Sequence, residues 1–314
     1  MKIGFGTQLW LRDNHFENFP RMLDEMSLLG FDGFEMCYPF LSDWYEHRVG
    51  ELRRLLAMHD LELASYYTGV TFYDDEQRWR GIEEVKRRCR FVAELGSHYV
   101  LLDGGRKRPG ISATQLEDQI RLIADAANML GEYARCCGLT LAWHQHWGSI
   151  FETPAPFHRL MEWTDPTLVR FCPDVGQLAL GDFDVVGTIA RYIDRIAFVH
   201  YKDVTFAGRP QGELWPGGPC VPSDEGAYGV DSKGRWVELG RGVVDFPTVT
   251  RVLLEAGYDG WLVDDFDFSC YPPRQSAQAC KDYINYGLGI WGERDIRRGL
   301  APAGQTVSAQ LGRT

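Results

Sequence analysis

The sequence predicts a (β/α)8 barrel over residues 1–290, with a long loop at 204–240 and an extension at 291–314. Three observations predict it. One unit recurs along the chain: an amphipathic helix, a closing glycine, then a short apolar strand that ends on polar residues. It is read in MLDEMSLLGFDGFEMC, CRFVAELGSHYVLLDGG, LGEYARCCGLTLAWHQH and VTRVLLEAGYDGWLVDDFD. The strands are near-continuous apolar runs, as in a parallel sheet covered on both faces. The count of such strands is eight, which closes a barrel. An open doubly wound sheet is the alternative, and no GxGxxG follows the first strand to support it.

Taken in order, strands are expected at about 3–9, 33–37, 61–67, 98–103, 139–146, 168–174, 196–202 and 260–267. Helices fill the gaps at about 16–29, 43–58, 76–95, 113–136, 155–163, 184–193 and 245–256, with one more near 274–289. Gly30, Gly96, Gly138 and Gly257 fit the left-handed position that ends a helix. Residues 204–240 break the rhythm. They are rich in Gly and Pro, lack a helical period, and follow the seventh strand, so they would lie over the C-terminal mouth. The polar tail from about 292 reads as a docking arm or a frayed end.

Composition bounds the function. The 314 residues carry 33 Lys and Arg against 44 Asp and Glu, a net charge of −11 that opposes a phosphate backbone, so no nucleic-acid partner is expected. The start, MKIGFGTQLW, has no leader pattern, and no apolar run approaches a membrane span. Eight Cys without a CxxC pair read as free thiols of a cytoplasmic protein.

Ionisable residues crowd the ends of the later strands, where a barrel builds its site. Strand five ends in His144-Gln145-His146, strand six at Asp174, strand seven in His200-Tyr201-Lys202-Asp203, and strand eight in Asp264-Asp265-Phe266-Asp267. Residues i and i+2 of a strand share a face, so three same-facing pairs converge if they point inward. Carboxylates gathered beside imidazole suit a divalent cation. An oxygen-rich set favours Mn2+, Co2+ or Mg2+, with Zn2+ behind them. Glu35 closes strand two, and Trp10 and Tyr67 lie near strand ends. All three are candidates to touch substrate. Asp103, before Gly104-Gly105, reads as a turn residue.

Four segments carry a family resemblance: HQHWGSIFET (144–153), CPDVGQLALGDFD (172–184), RIAFVHYKDV (195–204) and GYDGWLVDDFDFS (257–269). They resemble HxHxGTxxET, DTGHxxxxG, RIxHVHxKD and GWLVVExD stretches of xylose isomerase-like barrels, the sugar phosphate isomerase/epimerase group. The likeness is greatest to inosose dehydratase-like and C-glycoside deglycosidase alpha-subunit-like members. The resemblance implies metal ligands at Glu152, Asp174, His200 and Asp265. Two positions depart from it: Asp265 stands where Glu is usual, and Gln177 stands where His is usual. Gln177 can bind a substrate hydroxyl but cannot take a proton.

What the resemblance implies chemically is a metal-dependent lyase on a keto-sugar, keto-glycoside or inosose. The ion polarises the carbonyl, a base removes the adjacent proton, and a group β to the carbonyl leaves. His144 or His146 is the expected base, Lys202 the proton donor to the leaving oxygen or the holder of the enolate, and Asp267 a further substrate contact. Reprotonation elsewhere would make it an isomerase or epimerase instead. A third expectation is a subunit that needs a small partner, or a homo-oligomer.

Overall fold

The computed structural model describes residues 1–11, 16–71, 75–105, 110–206, 234–269 and 271–302. Among the described residues ten strands run in chain order: β1 Lys2–Gly6, β2 Gly33–Met36, β3 Glu62–Gly69, β4 Tyr99–Asp103, β5 Thr140–His144, β6 Val169–Cys172, β7 Val199–Tyr201, β8 Asp203–Phe206, β9 Gly234–Val237 and β10 Trp261–Asp264. Eight of them form one sheet in the order β6-β5-β4-β3-β2-β1-β10-β7. Its seven adjacent pairs are parallel. Two parallel bridges, Phe171↔Ile196 and Asp174↔His200, join β7 back to β6. They rest on Ala197 N–H donating to Phe171 O at 3.0 Å and His200 N–H donating to Pro173 O at 2.9 Å. The expected barrel is therefore the observed fold.

The expected helices lie between the strands, with small differences. The stretch near 43–58 is two helices, Pro39–Tyr45 and Val49–His59. Arg48, at φ −135° and ψ 32°, turns the chain between them. Gly30 closes the helix Asn18–Leu29 at φ 79°, a left-handed conformation in which its N–H reaches Ser27 O. A side chain there would also strike Asp295, whose Oδ1 lies 2.5 Å from where a Cβ would stand.

The core has two shells. Inside the barrel, Ala64, Leu101, Ala142, Cys172, Phe198, Trp261 and Val263 form one buried cluster. A far larger cluster fills the space between strands and helices, where Ile3, Phe34, Val92, Ile123, Leu160 and Val249 are buried. The inner cluster is the dry floor beneath the strand ends.

The ends of the 204–240 segment are not loop. β8 and β9 pair antiparallel, with Val204 opposite Trp236. Burial alternates along β9, with Gly234 and Trp236 in and Arg235 and Val237 less so, the period of a one-sided strand. Residues 207–233 and 303–314 lie outside the described residues. The described part of the tail docks at the N-terminal end of the barrel. Arg294 donates its backbone N–H to Asp32 Oδ1 at 2.6 Å and its guanidinium to Phe31 O and Asp60 O at 3.2 and 3.0 Å. Lys281 pairs with Asp295 at 2.6 Å. The six described cysteines are free thiols. No described helix is long and apolar enough to cross a membrane.

Candidate metal centre

Four strand ends bring one side chain each to a common point: His144 from β5, Asp174 after β6, His200 in β7 and Asp265 after β10. One ligand atom from each lies within 4.8 Å of all the others, and all four residues are buried. The placement follows from strand periodicity. Two residues before each stands a member of the inner cluster: Ala142, Cys172, Phe198 and Val263. Side chains two apart share a face, so the polar rung sits directly on the apolar one.

Asp174 serves two masters with two oxygens. Its Oδ1 accepts from Gly176 N–H at 3.0 Å and Gln177 N–H at 2.9 Å, capping the helix Val175–Leu180. Its Oδ2 has no hydrogen-bond partner among the described residues and lies 3.4 Å from His144 Nε2. His200 is fixed from behind. Its Nε2–H donates to Glu35 Oε2 at 3.0 Å, and Ser65 Oγ–H donates to the same oxygen at 2.5 Å. That leaves Nδ1 turned toward Asp265 Oδ2 at 3.7 Å, again without a hydrogen bond. Burial lowers the His200 pKa, but the charges of Glu35, Asp265 and Asp174 and the Glu35 hydrogen bond outweigh it and raise it to about 9.

Asp265 accepts from Lys202 Nζ at 2.7 Å on Oδ2 and from the Gln8 amide on Oδ1. Burial alone would raise its pKa; Lys202, His200 and His144 hold it well below the usual carboxylate range. Lys202 is itself buried, 2.7 Å from Asp267 Oδ2 and 4.7 Å from the centroid of the Trp236 ring. Burial works against its charge, yet Asp265, Asp267 and Asp174 raise its pKa well above that of a free lysine. It is a held ammonium, a fixed positive charge beside Asp174, Asp265 and Asp267.

The residues fit a divalent cation. Both ring nitrogens of His144, Asp174 Oδ2 and His200 Nδ1 are buried without hydrogen-bond partners among the described residues. Such atoms are costly unless something binds them. Asp174, Asp265, Asp267 and Glu35 outnumber Lys202 and His200, so a further positive charge would offset the excess of negative charge. The Glu35–His200 pair has the form of an outer carboxylate that fixes the tautomer of a ligand imidazole.

Three expected placements differ. Glu152 does not join the four. It lies eight residues past the end of β5, just before the helix Pro154–Trp163, and its carboxylate accepts from Gly148 N–H at 3.2 Å. His144, the last residue of β5, is the fourth member of the converging group. Trp10 is buried edge-on against Phe5 at 5.6 Å and donates its indole N–H to Glu25 at 2.7 Å, contacts of the core. Glu35 holds His200. Tyr67 is beside the centre, its ring edge-on to His144 at 5.1 Å. His146 is half-buried, its ring 5.9 Å from that of His144. Its Nδ1 lies 2.5 Å from Trp147 O. A carbonyl only accepts, so Nδ1 carries the proton and Nε2 the lone pair. Gln177 Oε1 accepts from Trp147 N–H at 2.9 Å, and its buried Nε2 is unpartnered among the described residues. Sequence reading passed over Gln8, Ser65 and Trp236, none of which stands in a charged motif.

Fold and site together define a class: a parallel (β/α)8 barrel with a buried His/Asp cluster, able to hold a metal, at the C-terminal strand ends. A profile described as xylose isomerase-like TIM barrel matches residues 23–279, and the chain belongs to that family. Inosose dehydratase of Geobacillus kaustophilus (strain HTA426) is 27% identical over 307 residues, covering 90% of this chain and 94% of that protein. Inosose dehydratase of Geobacillus thermodenitrificans (strain NG80-2) is 28% identical over 308 residues, covering 92% and 98%. Among solved structures, IolI with a bound zinc atom superposes with a TM-score of 0.71 at 17% identity, over 92% of this chain and 98% of its own. D-psicose 3-epimerase of Clostridium cellulolyticum H10 gives 0.69 at 14% identity, over 92% and 99%. These two likenesses establish the fold alone.

Proposed function

We propose that the protein is a divalent-metal-dependent lyase that removes the proton α to the carbonyl of a keto-sugar or keto-cyclitol and expels the β substituent. Curated relatives are dehydratases, and the chain is an enzyme of dehydratase or isomerase/epimerase type. The observation that carries the reading is the set of buried ligand atoms converging from four strands, those of His144, Asp174 and His200 without hydrogen-bond partners among the described residues. His144, Asp174, His200 and Asp265 would hold the ion. Two imidazoles and two carboxylates suit Mn2+ or Co2+, keep Zn2+ in play, and make Mg2+ the poorest fit.

A metal held there supplies Lewis acidity toward the substrate carbonyl. The chain supplies the proton transfers. His146, with a free lone pair at Nε2, takes the α-proton. Lys202, kept charged by Asp265 and Asp267, holds the negative charge of the enolate or gives a proton to the departing oxygen. Asp267 is the more exposed of those two carboxylates and passes a proton back to the lysine from solvent. Gln177 Nε2 and Tyr67 face substrate hydroxyls, and the apolar floor excludes water. The substrate is an inosose or a 3-oxo-glycoside, without nucleic acid or membrane as partner.

The test is metal analysis of the purified protein, followed by turnover of inososes and 3-oxo-glycosides in deuterated water. Loss of water or aglycone that needs the metal supports elimination. Deuterium uptake with epimerised product assigns the enzyme to the isomerase/epimerase branch. A wild-type protein that binds no divalent ion overturns the reading.

A further inference from the structure

Asp103 ends β4, and by sequence it is a turn residue before Gly104-Gly105. Its place in the barrel says more. Leu101, two residues earlier, belongs to the inner cluster with Ala142, Cys172, Phe198 and Val263. Those four each precede by two a member of the metal cluster, so Asp103 stands on the same rung of the mouth as His144, Asp174, His200 and Asp265. It is not one of the four that converge. Instead its Oδ2 accepts from the Tyr67 hydroxyl at 3.2 Å, and the Tyr67 ring lies edge-on against His144. Its other oxygen, Oδ1, is buried and has no hydrogen-bond partner among the described residues. The turn behind it is tight. A Cβ at Gly104 would stand 2.7 Å from Phe151 and 2.9 Å from Trp143, and Gly105 has φ 73°.

An inward-facing carboxylate oxygen with no donor is built to receive one. The Tyr67 hydroxyl has already spent its proton on Asp103, so the pair offers acceptors and no donor. We infer that Asp103 and Tyr67 form a subsite for a substrate hydroxyl away from the reacting carbons, with Asp103 as a specificity-determining residue. The inference rests on the keto-polyol reading above and deepens it. The ligand it selects is a ring with a free O–H at that position, over one carrying a hydrogen or an ether there.

The experiment compares wild type with Asp103→Ala. Two readouts are used: calorimetric binding of an unreactive cyclitol, and turnover of an inosose and its monodeoxy analogues. Loss of a hydrogen bond to a charged acceptor predicts binding and KM weakened ~10- to 100-fold, with kcat changed by no more than a few-fold. One deoxy analogue, lacking the hydroxyl that Asp103 receives, is handled alike by both proteins. Tyr67→Phe gives a smaller effect on the same analogue series. Metal content equal to wild type shows that the variant is folded. Equal cyclitol binding by wild type and Asp103→Ala, or equal losses on every deoxy analogue, overturns the assignment. Failure of wild type to bind metal overturns the function instead, and the cyclitol titration still scores Asp103 by itself.

Discussion

Replacing Glu35 by Gln separates the support of His200 from the ligands themselves. Both groups are buried, and the Nε2–Oε2 bond is 3.0 Å. Gln keeps the shape and an acceptor oxygen but removes the charge. In metal-free protein the His200 pKa stands at about 9 against an ordinary 6.5. That shift contributes roughly 3 kcal/mol to stability. The sign follows from a raised pKa. The contribution is complete below pH 6.5 and is lost as pH rises through 9. Glu35, the largest of the charges that raise it, supplies a major share. Urea unfolding in the presence of chelator should therefore show Glu35→Gln less stable than wild type by about 1–2 kcal/mol at pH 6. The gap should close by pH 9.5, where His200 is neutral in both. For the metal, loss of an outer carboxylate predicts a Kd higher by ~10- to 100-fold. Parallel pH profiles together with an unchanged metal Kd would refute the role given to Glu35.

Metal analysis distinguishes the observed cluster from the set the resemblance implies: His144→Ala and Asp174→Ala should lose the ion, whereas Glu152→Gln should keep it at wild-type stoichiometry. His146→Gln should retain metal and lower kcat by ~10²- to 10⁴-fold, the usual contribution of a positioned base; a kcat within threefold of wild type would remove His146 from the mechanism. Metal binding at pH 7.5 should release close to one proton, because His200 must give up Nδ1–H to become a ligand. Calorimetry in two buffers of different ionisation enthalpy measures that proton, and the same displacement makes affinity fall about tenfold per pH unit below 9.

The barrel was legible because its signal is repeated. Each parallel strand is covered on both faces, so its apolar run survives whatever the loops do, and the helix-closing glycines punctuate the runs. Asp174, His200 and Asp265 were legible as residues at strand ends, and the resemblance implied their role as ligands; in the structure each stands one strand period beyond an apolar inner residue. Glu152, implied by the motif, stands apart from the four that converge, because a motif fixes order along the chain and not distance in space. The chain turns through Gly148 before it reaches Glu152, and Gly148 N–H donates to one of the carboxylate's oxygens. β8 and β9 were hidden by composition, since Gly and Pro dominate the segment while only four residues at each end pair. Gln8, Ser65 and Trp236 carry no charge, and their importance lies in what they touch: Asp265, Glu35 and Lys202.

Asp174 shows why weighing a functional against a structural reading of one residue can pose a false choice. A carboxylate has two oxygens, and a helix N-terminus needs only one. Capping the helix Val175–Leu180 through Oδ1 turns Oδ2 into the pocket and removes its freedom to turn away. The same residue pairs with His200 across the seam where β7 meets β6. That seam is held by isolated bridges, whereas the other seven strand junctions are paired ladders, one of them with a register shift between Phe34 and Glu35. A cation gripped by His144, Asp174, His200 and Asp265 would therefore tie β5, β6, β7 and β10 together at the point where backbone pairing is thinnest. In this fold, closing the barrel and assembling the site are one geometric event.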